Sequence, residues 1–279
     1  MVVLLALGSA LSYGLSDFIG GILARRARVF AVAVVGQSTS TAGTGVAALL
    51  FPGDPTTPDW VWGAIAGVGS GLGAVFLYRG LASGRMSVVA PLSAVAAALL
   101  PVVVGFVSGE RPTLVTWLGV VCAFPAIWLV AGAADPAPGA DRARRAGVAD
   151  GLFAGLGFGA LFTALGQVEN GSGLGPLALS QATSVVSIII LAIGLRQPWL
   201  PRHRGEVAAS SAGLLGALAT LLFLLSTQAG LLTVAAVLSS LYPATTVLLA
   251  ALLLHERIHR SQGVGLVLAG TAVALVAAG

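Results

Sequence analysis

The chain has 279 residues, of which 57% are hydrophobic and only 9% are charged. Because an average soluble domain carries about 25% charged residues, this composition excludes an ordinary water-soluble fold. The net charge of +4 does not indicate nucleic-acid binding, since all 14 basic residues are arginines that stand in short clusters between apolar segments. The single cysteine, Cys122, excludes a disulfide and a cysteine-based metal site.

Ten apolar segments follow one another along the chain, and about 20 such residues are enough to cross a bilayer as a helix. The first segment has neither a basic region before it nor a cleavage pattern after it, so we expect a spanning helix and not a cleaved signal peptide. Short joints rich in proline, glycine and charge separate the segments. The predicted spans are 2–23, 29–51, 60–82, 86–107, 113–133, 147–169, 174–194, 206–229, 233–254 and 260–278.

The second half of the chain repeats the first. Glu110-Arg111 returns 146 positions later as Glu256-Arg257. We therefore divide the chain into a first five-helix repeat at 1–133, a linker at 134–146 and a second five-helix repeat at 147–279. Because five spans per copy is an odd number, the second copy must insert upside down relative to the first. The sequence predicts an all-α integral membrane protein of ten transmembrane helices, built as two inverted five-helix repeats.

The arginines are distributed unevenly between the two sides of this predicted bundle. Thirteen of them fall on the side of the joints that follow the odd-numbered spans, which we call the Arg-rich side. The opposite side, which carries both termini, holds only Arg111. The positive-inside rule then predicts that the Arg-rich side faces the cytoplasm and that both termini lie outside.

Asp17 is a carboxylate well inside the first span, and a charged group in lipid marks a candidate functional position. Tyr13 lies one helical turn earlier on the same face. Two interpretations remain open, a proton- or cation-responsive carboxylate that lines a transport path, or an interfacial group paired with Arg25 or Arg26. Arg79, near the end of the third span, is likewise expected either to bind a substrate carboxylate or to reach the interface.

A polar group of residues recurs in the second and seventh spans, at 37–40 and 181–184. Amides and hydroxyls in lipid need partners, so these side chains either join helices or line a wet cavity. Pro91 and Pro101 interrupt the fourth span, and Pro243 interrupts the corresponding ninth span. Broken helices at corresponding positions of two repeats are typical of a transporter binding site, although bending without ligand contact explains them equally well.

The sequence contains one pattern that superficially suggests an enzyme. His255-Glu-Arg-Ile-His259 has the spacing of a metalloprotease helix. The aligned segment of the first copy lacks both histidines, and no third ligand is evident. Aspartyl proteolysis in the membrane needs two facing aspartates, and only Asp17 lies well inside a predicted span. Asp150 and Glu169 stand at the ends of predicted helices and are expected at the membrane interface. We therefore predict no enzyme, no metal and no cofactor.

These features resemble the drug/metabolite transporter superfamily, EamA type. The resemblance implies an alternating-access carrier, often an exporter of amino acids, drugs or other small metabolites, in a bacterial cell (inner/plasma) membrane. Members of this superfamily usually have both termini in the cytoplasm, in contrast to the orientation that the arginines predict. The motifs that carry the resemblance lie at 78–82, 87–93, 109–111, 117–119, 255–257 and 263–265.

We therefore predict a secondary transporter that exports small polar or amphipathic metabolites such as amino acids or drugs. A channel or a lipid-handling membrane protein of the same fold is the alternative. The expected partners are a small-molecule substrate, the lipid bilayer and protons as the candidate coupling ion, with no nucleic acid, in a monomer or a homodimer. The substrate cavity is expected between the two halves, lined by Tyr13, Asp17, Gln37, Tyr78, Ser93, Gln181, Ser239 and Tyr242.

Overall fold

The computed structural model describes residues 1–82, 86–131, 141–253 and 259–278. All regular secondary structure in these ranges is α-helical, which confirms the predicted all-α fold. The helices are α1 (Val2–Ala24), α2 (Val29–Leu50), α3 (Thr57–Ala82), α4 (Met86–Val107), α5 (Leu114–Ala131), α6 (Asp141–Leu165), α7 (Gly175–Gly194), α8 (Arg204–Val207), α9 (Ala209–Ala229), α10 (Leu232–Ser239), α11 (Tyr242–Leu253) and α12 (Arg260–Ala278).

These helices form the ten predicted spans because the eighth and ninth spans each contain two of them. The one-turn helix α8 leads directly into α9, and together they make the eighth span. The ninth span is interrupted at Ser240 and Leu241, between α10 and α11. Pro243 lies in the first turn of α11, where the missing backbone N–H costs no hydrogen bond within the helix.

The fourth span differs from this prediction, because α4 is continuous from Met86 to Val107 although it contains Pro91 and Pro101. Pro125 likewise lies inside the continuous helix α5. Proline is tolerated within membrane helices when neighbouring helices satisfy the freed backbone groups. The expectation of matched breaks in both repeats was therefore wrong: within the described residues the ninth span is broken between α10 and α11, whereas the corresponding fourth span is continuous.

The outer surface of the described chain is apolar. Leu4, Leu49, Val107, Leu114 and Val267 each expose at least 70% of their surface. In a soluble protein such side chains form the core, whereas here they are placed to contact lipid. Among the described residues, five stretches are long and apolar enough to cross a membrane, at 2–24, 57–82, 147–165, 175–194 and 205–229, and four shorter apolar helices accompany them.

The two halves pack against each other through equivalent contacts. Helix α3 lies against α6 and α7, and α9 of the second half lies against α1 and α2 in the same way. A Cβ atom at Gly67 would overlap the backbone carbonyl of Ser180, and one at Gly213 would overlap that of Gly36. Gly67 and Gly213 are one repeat length apart, so both halves use the same close approach of helix backbones. This pairing brings α1, α2, α3, α6, α7 and α9 around a common centre.

Candidate functional site

A cavity of about 40 Å³ lies between the two halves. Helices α1, α2 and α3 of the first half and α6, α7 and α9 of the second half form its wall. This volume accommodates about three water-sized groups. Nine of the fourteen residues that line it are polar: Tyr13, Ser16, Asp17, Gln37, Ser40, Ser70, Tyr78, Gln181 and Thr220.

The structure brings five of the eight predicted site residues to this one cavity. They come from four different helices, so their proximity arises only when the two halves pack together. Their role in binding a substrate stays a prediction. These five residues are Tyr13, Asp17, Gln37, Tyr78 and Gln181.

The other three predicted residues lie in a second buried cluster, at the break of the ninth span. The hydroxyls of Ser93 and Tyr242 are hydrogen-bonded at 3.0 Å, which links α4 to α11. Ser239 donates to the backbone carbonyl of Ala6 at 3.4 Å. The ring of Tyr13 lies 6.4 Å from that of Tyr242, measured between centroids, and connects this cluster to the cavity.

Asp17 is the only acidic or basic residue among the described residues that line the cavity. Within the described part of the chain its carboxylate forms no ion pair, so the alternative interpretation of a pair with Arg25 or Arg26 was wrong. Phe162 aligns with Asp17 in the second repeat, and it packs edge-on against Tyr13 at 5.8 Å between ring centroids. The second repeat therefore carries an apolar ring at the position where the first repeat carries an acid.

Gln37 and Gln181 occupy equivalent positions in α2 and α7, and both line the cavity. The amide nitrogen of Gln37 donates to Ser70 at 3.4 Å, and that of Gln181 donates to Thr220 at 2.9 Å. Their carbonyl oxygens are buried without a hydrogen-bond partner in the described structure, as is the Tyr13 hydroxyl. One end of each amide joins two helices, and the other end is an unsatisfied acceptor beside the cavity.

Four hydroxyl residues of the cavity wall are absent from the eight predicted lining residues, although Ser40 belongs to the polar group at 37–40. Ser16 donates to the backbone carbonyl of Ala212 at 2.9 Å, and Ser40 donates to that of Gly213, so both fasten the first half to α9. The hydroxyl oxygens of Ser70 and Thr220 accept hydrogen bonds from the side-chain amides of Gln37 and Gln181, respectively. The signal available for Ser16 and Ser40 was their spacing, since each lies three residues after a predicted site residue and therefore on the same helix face.

Arg79 is an ion-pair partner of Asp150. Its Nε donates to Asp150 Oδ1 at 2.8 Å, its Nη2 contacts the same oxygen, and its guanidinium lies 4.6 Å above the centroid of the Phe76 ring. Asp150 is only 2% exposed, so the expectation of an interfacial carboxylate was wrong. The sequence analysis placed Asp150 near the start of a helix, whereas α6 begins nine residues earlier, at Asp141. The side chain of Asp150 contacts Arg79 of α3.

Acids at the start of the third span of each repeat close the two ends of the bundle. Glu206, which is fully buried, accepts Arg28 Nε at 2.7 Å and Nη2 at 2.8 Å. This hydrogen bonding raises the pKa of Arg28 and keeps it charged. In the other repeat, Asp59 accepts the backbone N–H of Glu169 at 2.9 Å. Because the repeats are inverted, the two contacts lie at opposite ends.

Glu110 of the repeated Glu-Arg motif has a structural role. Its carboxylate accepts the backbone N–H groups of Leu232 and Thr233 at the start of α10. A negative charge at a helix N-terminus satisfies unpaired donors and opposes the helix dipole. The equivalent segment 254–258, which includes His255 and the metalloprotease-like pattern, lies outside the described residues, as does linker segment 134–140. In the described ranges, no three acidic, histidine or cysteine side chains are grouped as metal ligands.

Comparison with known protein families finds that one family matches this chain. The sequence model of the EamA-like transporter family matches residues 1–132 and, a second time, residues 145–278. No curated protein matches the chain significantly. A solved crystal structure shares the fold with a TM-score of 0.71 at 18% sequence identity, over 98% of this chain and 95% of the other. At this identity the likeness concerns the fold alone.

Proposed function

Because this chain belongs to the EamA-like transporter family, and is therefore a multi-pass membrane transporter of the drug/metabolite superfamily, we propose that it is an alternating-access exporter of small polar or amphipathic metabolites. The observation that carries this proposal is the polar cavity between the halves, with a carboxylate on its wall that has no ion-pair partner among the described residues. The two repeats, 1–133 and 147–279, rock against each other around this cavity and open it to each side in turn.

The size of the cavity supports an alternating mechanism. Pockets that hold small molecules are typically about 300–1,000 Å³, whereas this cavity measures about 40 Å³. A metabolite enters only when the halves separate at one end. The Arg28–Glu206 and Asp59–Glu169 contacts hold opposite ends of the bundle, so each end has its own set of bonds to break.

Asp17 is the proposed coupling residue. A carboxylate that is surrounded by helices and has no positive partner is costly, and binding of a proton or of a cationic group removes that cost. Proton and substrate then compete for the Asp17 carboxylate. Because only one of them is bound at a time, the transporter exchanges protons for substrate across the membrane. We further propose a bacterial inner membrane with the Arg-rich side in the cytoplasm, so that export runs from that side.

Transport by the purified protein in liposomes tests the function. Vesicles are loaded with amino acids, sugars, nucleosides and amines, and efflux of each is followed by mass spectrometry with and without a pH gradient. Saturable, selective loss of one class that responds to the gradient is the expected result. Conductance, or lipid scrambling, that does not saturate with any solute would favour the channel or lipid-handling alternative.

A further inference from the structure

We propose that the central cavity binds the ammonium group of a primary amine, with Asp17 and the carbonyl oxygens of Gln37 and Gln181 as its acceptors. This inference rests on the proposed transport function and names the substrate class for the same site. It selects primary amines without a carboxylate from the broader set of small metabolites.

The charge of the wall selects cations. Asp17 is the one carboxyl group on the wall, and none of the fourteen lining residues is arginine, lysine or histidine. The two described ion pairs, Arg28 with Glu206 and Arg79 with Asp150, involve residues that do not line the cavity. An anion, or the carboxylate of a zwitterionic amino acid, would therefore meet an acid and no compensating cation.

Hydrogen bonds fix which end of Gln181 is available. The Thr220 hydroxyl donates its only proton within its own helix, to the backbone carbonyls of Gly216 at 2.9 Å and Ala217 at 3.0 Å. Thr220 must then act as an acceptor towards Gln181, so it receives the amide nitrogen. The carbonyl oxygen of Gln181 is the remaining end, and it has no partner although the residue is only 2% exposed. In the other half, the amide nitrogen of Gln37 donates to Ser70 at 3.4 Å, and the carbonyl oxygen of Gln37 is buried without a hydrogen-bond partner among the described residues.

Unsatisfied acceptors select a ligand that brings donors. A buried oxygen without a partner is costly, and a ligand N–H removes that cost. A primary ammonium carries three N–H donors and matches the two amide oxygens and the carboxylate. A quaternary ammonium has the same charge but no donor, so it leaves both glutamines unsatisfied. The volume of about 40 Å³ fits the ammonium headgroup, and Phe158 and Leu161 provide apolar surface for the attached carbon.

Binding to the purified protein in detergent tests this inference without interference from amines that cross lipid unaided. Calorimetry at pH 7 compares butylamine, its N,N,N-trimethyl homologue, butanol and 5-aminopentanoate. Butylamine is expected to bind at least about tenfold more tightly than the trimethyl compound, since hydrogen bonds to charged groups are among the strong ones. Butanol and the zwitterion are expected to bind more weakly still.

Two variants assign the preference to the glutamines. Gln37→Met and Gln181→Met keep the side-chain length but remove the carbonyl, so each is expected to narrow the difference between butylamine and its trimethyl homologue. Gln197→Met is the matched control, because Gln197 is exposed in the joint after α7. It is expected to leave both affinities unchanged. The methylation series on the unmodified protein remains decisive if either variant fails to fold.

Three results would overturn the inference: equal binding of the two cations, preferred binding of butanol or the zwitterion, or no binding of any of the four. Displacement of butylamine by Na⁺, with Na⁺ affinity lowered in the glutamine variants and no effect of methylation, would assign the oxygens to a bare cation instead. The efflux assay reports on transport separately. Saturable flux without amine preference removes only this inference, and amine binding without flux removes only the transport function.

Discussion

Arg28 and Glu206 form a two-point ion pair that ties the first half of the chain to the second. Arg28 stands in the joint between α1 and α2, and Glu206 stands at the start of the eighth span. Glu206 also accepts the backbone N–H groups of Arg202 at 2.6 Å and His203 at 3.1 Å, so one carboxylate holds a turn and a partner helix together. Asp59 lies near the start of the third span in the first repeat and holds the Glu169 backbone there.

Removal of Arg28 is expected to destabilise the protein, because Glu206 stays buried with its charge no longer paired. Arg28→Ala should lower the free energy of unfolding, measured by denaturation in detergent, well beyond any change in the control variant. Arg26→Ala is the matched control, since Arg26 is exposed in the same joint and has no side-chain partner among the described residues. Equal losses for the two variants would contradict a specific role for the ion pair.

The crossing of α2 and α9 is expected to be intolerant of a single methyl group. In Gly213→Ala, the new Cβ overlaps the Gly36 carbonyl, so the two backbones must move apart, at a cost of about 1–3 kcal/mol. Gly67→Ala should behave alike at the equivalent crossing of α3 and α7. Gly45→Ala, with open space at its Cβ, is the control and should keep its melting temperature. An unchanged melting temperature in Gly213→Ala would show that α2 and α9 do not approach each other so closely.

Glu110 is expected to contribute stability through α10 alone. Glu110→Ala removes the acceptor of the Leu232 and Thr233 N–H groups and should cost about 0.5–2 kcal/mol, the usual range for a lost helix cap. Thermal unfolding and hydrogen exchange of 232–234 are the measurements. Glu169→Ala serves as control, because the Glu169 side chain is exposed and only its backbone is hydrogen-bonded. Unchanged exchange at α10 in Glu110→Ala would exclude the cap.

The sequence predicted the architecture well because the length of each span follows from its hydropathy and the repeat follows from the order of the residues. Gln37 and Gln181 were found for the same reason, since a polar group that recurs in both repeats stands out against apolar neighbours. Pairings across helices were not accessible in this way. Arg79 and Asp150 are 71 residues apart, and their contact depends on how α3 and α6 are rotated about their axes.

The wall hydroxyls were missed for a different physical reason. The hydroxyl of serine or threonine in a membrane helix can donate to a backbone carbonyl of its own helix or to a group on a neighbouring helix. The sequence does not distinguish these two cases. Ser16 and Ser40 bond to α9, whereas Thr39 and Thr41 bond within α2. The break in the ninth span was equally ambiguous, since α4 carries two prolines and remains continuous.

The arginine distribution predicts that a reporter fused to the C-terminus lies outside the cytoplasm. A reporter that is active only in the cytoplasm should therefore be inactive after residue 279. The same reporter inserted after Pro198, in the Arg-rich joint between α7 and α8, should be active and provides the control. The reverse pattern of activities would place the Arg-rich side outside and agree with the usual orientation of the superfamily.

Asp17→Asn is expected to uncouple transport from the pH gradient while leaving the fold intact. The amide has nearly the same shape, and no ion pair of Asp17 is lost within the described chain, so the melting temperature should stay within about 2 °C. The gradient-dependent part of efflux should fall at least about tenfold, because asparagine cannot exchange a proton with substrate. Asp54→Asn, at an exposed position between α2 and α3, should keep full coupling. Asp17→Glu, which retains the carboxyl group, should restore part of the response, and undiminished gradient dependence in Asp17→Asn would remove this carboxylate from the mechanism.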